Sequence, residues 1–315
     1  MPLDPQVQVV LDLVKKANYP QFYELSPAEA RALFDRTAPV LDVKPEPIHG
    51  RADRPIPRPA GSLTVRVFTP FLPDPAAPLP LLLFLHGGGW VIGSLDCYDA
   101  MCRVLAKRAD CIVVSVDYRL APEARFPAAP ADCLAAYEWL LANAGSLGGD
   151  PGRIAIAGDS AGGNLAAVTA QAVARKGGPQ PVLQVLIYPV TAGMLDAPSH
   201  LACAEGYLLT RRTMQWFYDH YAPAPADRRD PRLAPLLARE LTGLPPSLVI
   251  VAEFDPLHDE GVAYAEALKA AGNRVILSDY AGMVHGFFSL SGVLDSGRQA
   301  LAQTVAALRT AFGAG

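Results

Sequence analysis

Apolar residues gather in seven short runs, at 63–69, 79–85, 111–117, 153–157, 182–188, 247–252 and 274–280. Each is strand length and is bounded by glycine, proline or polar residues. The run Leu79-Pro80-Leu81-Leu82-Leu83-Phe84-Leu85 has no polar alternation, the pattern of a strand buried on both faces. Between the runs, stretches 96–109, 130–143, 161–175, 257–271 and 296–311 read as helices. This alternation predicts an α/β fold: a mostly parallel central sheet with helices on both faces. Two segments break the rhythm. Residues 1–40 carry helical patterns around Val7–Lys16 and Pro27–Phe34, and residues 190–235 insert polar, aromatic and proline-rich sequence with a helix expected at Arg211–Tyr221. The proline-dense stretch from Lys44 to Pro80 reads as extended connections and an edge strand.

The richest chemistry follows two of the predicted strands. After the run Arg153-Ile154-Ala155-Ile156-Ala157 comes Gly158-Asp159-Ser160-Ala161-Gly162, and then a small-residue helical stretch. A serine with glycine two residues to either side suits a sharp strand-to-helix turn, because a side chain at Gly158 or Gly162 would strike a neighbouring element. Such a turn exposes the hydroxyl at a helix N-terminus, where backbone N–H groups favour developing negative charge. The strand at 79–85 ends in His86-Gly87-Gly88-Gly89-Trp90. Consecutive glycines there leave N–H groups open to a ligand, as the oxyanion of an acyl transfer requires.

These two motifs resemble the signatures of the hormone-sensitive-lipase-like esterases, also called family IV bacterial esterases, of the α/β-hydrolase superfamily. Further matches follow in the family's order. They are Tyr118-Arg119-Leu120-Ala121-Pro122-Glu123 with Phe126-Pro127-Ala128-Ala129, then Glu205-Gly206-Tyr207-Leu208-Leu209-Thr210, Asp255-Pro256-Leu257 and His285-Gly286-Phe287. His258 stands where the family more often has arginine. The resemblance implies a serine carboxylesterase for short- to medium-chain esters. It implies one domain over 1–315 with cap elements at about 1–45 and 190–235. It also assigns oxyanion donors to Gly88 and Gly89, with Gly87 permitting the turn.

The rest of the site can be argued from the residues. A serine needs a base, most often histidine, and the chain has six. His49 lies in the proline-rich stretch, and His200 and His220 fall in the expected cap. His86 abuts the glycines, where shaping the loop is the better role. His258 opens a predicted helix. His285 follows the strand at 274–280 and is the expected base. The orienting carboxylate has three candidates, Glu253, Asp255 and Asp259; Asp255 fits the exit loop of the strand at 247–252, with Pro256 suited to start a helix. The order Ser160, Asp255, His285 is that of the α/β-hydrolases. Ala161, the residue after the nucleophile, supplies a further oxyanion N–H. Asp159, Arg119 and Glu123 read as braces between loops. Candidate pocket residues are Trp90, Tyr188, Leu208, Phe217, Val284 and Phe287.

Charge and composition narrow the class. A net charge of −4 without a basic cluster argues against nucleic acid. No apolar run approaches the length of a membrane span, and Met1-Pro2-Leu3-Asp4 does not open a secretory signal. The five cysteines lack metal-site spacing and suit a reducing cytoplasm. No metal or other cofactor is implied. The expected partner is a small-molecule ester, and a homodimer is the assembly considered. The competing functions are an amidase or peptidase on the same fold, a lipase acting at an oil–water interface, and a hydrolase-fold receptor without catalysis.

Overall fold

The computed structural model describes residues 2–57 and 61–313. Two helices precede the first strand, α1 (Pro5–Ala17) and α2 (Pro27–Thr37). Each starts at a proline behind a capping side chain. Asp4 accepts the Gln6 N–H, and Ser26 and Glu29 cap one another's backbone N–H groups. There follow β1 (Gly50–Ile56), β2 (Leu63–Thr69), β3 (Leu79–Leu85), α3 (Asp99–Arg108), β4 (Ile112–Asp117), α4 (Ala128–Asn143), β5 (Gly149–Asp159) and α5 (Ala161–Arg175). The second half holds β6 (Gln184–Ile187), α6 (Pro198–Ala202), α7 (Arg211–Tyr221), β7 (Ser247–Phe254), α8 (His258–Ala270), β8 (Val275–Val284) and α9 (Asp295–Ala311).

The eight strands form one sheet in the order β1-β2-β4-β3-β5-β6-β7-β8. Among the described residues these strands pair antiparallel at β1–β2 and β2–β4 and parallel at the other five ladders. Alternate residues of each central strand enter opposite cores. Leu81, Leu83, Leu85, Ile154, Ile156 and Val249 pack with residues of α4, α5 and α8. Leu82, Phe84, Ala155, Val185, Leu248 and Ile250 pack with residues of α3 and α9. The chain leaves β3 outward to β4 and then returns across it to β5. At such a switch point the two connecting loops part and leave a crevice at the carboxyl ends of the strands. Those ends are Leu85, just before His86-Gly87-Gly88-Gly89, and Asp159, just before Ser160.

Several boundaries differ from expectation. β5 begins at Gly149 instead of 153, because Gly149 pairs with Leu79 across an irregularity in register. β8 runs past the expected end at 280 to Val284, where it pairs with Phe254, so His285 directly follows the strand. The edge strand within 44–80 is β1, exposed from Arg51 to Pro55; residues 58–60 of that stretch lie outside those described. The short helix α6 has no distinct sequence signal. Among the described residues no helix is long and apolar enough to cross a membrane.

Candidate active site

Ser160 occupies the single residue between β5 and α5, at φ 56° and ψ −118°. That conformation is unfavourable for a residue with a side chain and costs about 1–3 kcal/mol. Two close approaches hold it. A Cβ on Gly158 would collide with the backbone of Gly162, and one on Gly162 with the carbonyl of Leu85. The Ser160 N–H donates to Ile187 O at 2.8 Å, and its carbonyl accepts the Asn164 N–H at 3.0 Å. The turn is therefore fastened to β6 and to its own helix, and the side chain is left to face the crevice.

Ser160, His285 and Asp255 come together from three strand ends. Ser160 Oγ lies 3.0 Å from His285 Nε2, and His285 Nδ1 lies 2.7 Å from Asp255 Oδ2. Asp255 is fully buried, and its Oδ1 accepts the Leu257 N–H at 2.8 Å. With a carboxylate at Nδ1, that nitrogen carries the hydrogen and Nε2 is free to accept from the serine hydroxyl. The Tyr188 ring lies 4.5 Å from the imidazole, centroid to centroid. The rival carboxylates are engaged elsewhere. Glu253 is still within β7 and accepts the Gly282 N–H at 2.7 Å, while Asp259 pairs with His258 and accepts the Ser199 N–H.

The loop after β3 curls over the serine. Gly88 and Gly89 have φ of 109° and 56°, and a Cβ on either would collide, with the Ile92 carbonyl and the Phe217 ring respectively. The Gly87 N–H is taken by Asp159 at 2.9 Å and Tyr98 at 3.0 Å. Among the described residues no acceptor takes the N–H groups of Gly88, Gly89 or Ala161. His86 is buried, stacked on Tyr118 at 4.3 Å, with Nδ1 2.7 Å from the Gly87 carbonyl. Burial pulls its pKa down to about 4, so it is neutral where it packs beneath the loop. The other histidines with side-chain partners are engaged away from Ser160: His200 pairs with buried Glu260, His220 packs on Trp216, and His258 bridges Asp259 and Asp279.

Arg119 and Glu123 brace loops: Arg119 pairs with buried Asp132, and Glu123 with Arg31 of α2.

A cavity of about 220 Å³ opens over Ser160 and His285. Of the six side chains expected along it, Tyr188, Leu208 and Phe217 border it. Trp90, Val284 and Phe287 do not. Trp90 is stacked on Tyr221 at 4.5 Å, Phe287 packs edge-on against Tyr188, and Val284 is buried in the sheet. Phe22 and Phe34 from the N-terminal segment also border it, with Tyr98, Thr213 and Ser289. Sequence reasoning misses these five. None sits in a motif; their place depends on how remote segments fold back.

An open, mostly parallel sheet carrying a strand-turn-helix serine, followed in chain order by an aspartate and a histidine, defines the α/β-hydrolase class. A family model described as alpha/beta hydrolase fold matches residues 82–289. The chain is 40% identical to the ethyl acetate hydrolase of Pseudomonas putida, over 98% of this chain and 99% of that protein. It is 44% identical to the carboxylesterase NlhH of Mycobacterium tuberculosis, over 79% of each. A solved ester-hydrolase from the metagenome of Lake Arreo, complexed with a derivative of bipyridine phosphonate, matches with a TM-score of 0.94, at 41% identity over 99% of each chain. The chain belongs to the hormone-sensitive-lipase-like carboxylesterases of the α/β-hydrolase fold.

Proposed function

We propose that the chain hydrolyses small carboxylic esters with Ser160 as nucleophile, His285 as general base and acid, and Asp255 as the orienting carboxylate. The observation that carries this is the continuous hydrogen-bond chain from Ser160 Oγ through His285 to buried Asp255, facing a cavity. His285 Nε2 takes the serine proton as Oγ attacks the ester carbonyl. The N–H groups of Gly88, Gly89 and Ala161 hold the oxyanion. Asp255 stabilises the imidazolium, which then protonates the leaving alcohol. Water enters, gives its proton to His285, and attacks the acyl-enzyme; the acid leaves and Ser160 regains its proton.

The cap reading covers 1–45 and 190–235. It is supported by Phe22, Phe34 and Ala38 on one side and Leu208, Leu209, Thr213 and Phe217 on the other, which together enclose the cavity. A roof of that kind excludes water from the reacting centre. A space of about 220 Å³, smaller than most drug-sized pockets, favours short- to medium-chain acyl groups over long glycerides. The five cysteines are all buried and unpaired, which suits the cytoplasm. The assembly to be tested is a homodimer, by sedimentation velocity.

The test is hydrolysis of nitrophenyl esters from acetyl to palmitoyl by wild type and Ser160→Ala. Activity should peak at short or middle chains and fall by roughly 10⁶-fold in the variant. A fall below about tenfold in folded protein would sink the assignment, and matched anilide substrates would expose an amidase.

A further inference from the structure

The residue before the nucleophile is a nearly buried carboxylate at the border of the cavity. Asp159 closes β5 with 4% of its surface exposed. Its Oδ1 accepts the Gly87 N–H at 2.9 Å, and its Oδ2 accepts the Tyr98 hydroxyl at 2.9 Å. Tyr98 also accepts from the same N–H, at 3.0 Å. These three groups tie the first loop glycine to the strand that carries Ser160. The tie is tight: a Cβ on Gly87 would stand 2.8 Å from the Tyr98 hydroxyl oxygen and 3.0 Å from Asp159 Cγ. The β3–β5 ladder ends at the pair Leu85–Gly158. Past that point the loop has no side chains at Gly88 and Gly89 to pack, so this anchor, together with the Val91 and Ile92 N–H groups on the Gly88 carbonyl and His86 on the Gly87 carbonyl, sets where their N–H groups point.

A neutral side chain could brace a loop without the cost of burying a charge. An ionised carboxylate instead offers acceptors only, on both oxygens, to two donors at once. We propose that Asp159 is a positioning residue for ester hydrolysis: ionised and bonded to Tyr98, it aims the Gly88 and Gly89 N–H groups, and its protonation releases that aim. The proposal rests on the oxyanion role of the glycine loop given above. A proton on Oδ2 would face the Tyr98 O–H, and one on Oδ1 would face the Gly87 N–H; either way one bond is lost or reversed.

The groups around Asp159 make this proton exchangeable. His285, after β8, favours the anion when charged, while Asp42 of the N-terminal segment is close enough to repel it. The hydroxyls of Tyr98, Tyr118 and Tyr188 stay protonated, since burial raises all three well above the usual phenol range. Buried His86 is neutral. Burial dominates and pushes the Asp159 carboxyl up to about 6, against the opposing hydrogen bond from Tyr98. Activity carried by the ionised form is therefore present above about pH 6 and lost as pH falls.

The experiment is kcat and KM for nitrophenyl butyrate from about pH 4.5 to 9, read where nitrophenol and nitrophenolate absorb equally. In wild type, His285 and Asp159 must both be deprotonated, so log kcat should approach a slope of two on the acid side. Asp159→Asn should lower kcat by about 10- to 100-fold, less than the outright loss of a donor, with KM little changed and an acid slope of one. Tyr98→Phe keeps the carboxylate but removes the bond that lowers its pKa, so its acid limb should move to higher pH. The Tyr98→Phe profile decides if Asp159→Asn does not fold. A folded Asp159→Asn with kcat within about twofold and an unchanged slope, or an unmoved acid limb in Tyr98→Phe, overturns the proposal. Ser160→Ala measured alongside separates the cases, because only retained activity in that variant would unseat the serine mechanism itself.

Discussion

In the proposed mechanism Asp255, closed off from solvent, holds the base of Ser160 in place. It accepts His285 Nδ1–H at 2.7 Å on one oxygen and the Leu257 N–H at 2.8 Å on the other. Asp255→Asn preserves the shape but presents an amide N–H to Nδ1, which favours the wrong imidazole tautomer. The expected result is a kcat about 10⁴-fold lower with the protein still folded, measured on a nitrophenyl ester beside a circular dichroism spectrum. Ser160, Asp255 and His285 are legible as candidates in the sequence because each follows an apolar strand in a fixed order. Tyr98 could not. It lies eleven residues beyond Gly87 in no motif, and only the curl of the intervening loop brings its hydroxyl to the Gly87 N–H.

At the scale of elements, α5 does two jobs: it presents Ser160 at its N-terminus and it holds the inserted segment to the core. Asn164, one turn in, is fully buried, and its Nδ2 donates to Val190 O at 2.8 Å and Leu233 O at 2.6 Å. Those carbonyls stand near the two ends of the 190–235 insertion, so one amide closes its base. Asn164→Ala leaves both carbonyls without that donor and should destabilise the fold by about 2–4 kcal/mol, read from urea unfolding. A change under about 0.5 kcal/mol would mean that the insertion holds its place without the amide. The elements themselves were legible where periodicity was strong. β2, β3, α5 and α7 fall on the expected residues. The early start of β5 was hidden because Gly149-Asp150-Pro151-Gly152 has turn composition, and it is pairing with β3 that extends the strand. The end of β8 was hidden for a similar reason, since Gly282 reads as a break while β7 still supplies a partner at Phe254.

Over the whole molecule, buried ionisable groups set stability and activity against each other. Burial pushes the Asp42 carboxyl up to about 7 and Asp159 up to about 6, from 3.8. Between about pH 4 and 7 the folded state therefore holds protons that the unfolded chain has released, and stability falls as pH rises through that window. His86 acts in the opposite sense. Its pKa is pulled from 6.5 down to about 4, so the unfolded chain binds the extra proton and stability rises across that range. Taken alone, these three groups leave a decline toward neutral pH, whereas the proposed mechanism needs His285 and Asp159 deprotonated. Asp42 isolates the effect. It accepts the Val43 N–H at 2.7 Å, a bond that Asn can keep, and it lies outside the set of side chains bordering the cavity. Asp42→Asn removes the cost of charging that position and should raise unfolding free energy at about pH 8 by about 2–4 kcal/mol, with little gain at about pH 4. Urea unfolding of wild type and variant at both pH values measures it. An equal shift at the two would show that the effect comes from packing and not from the proton.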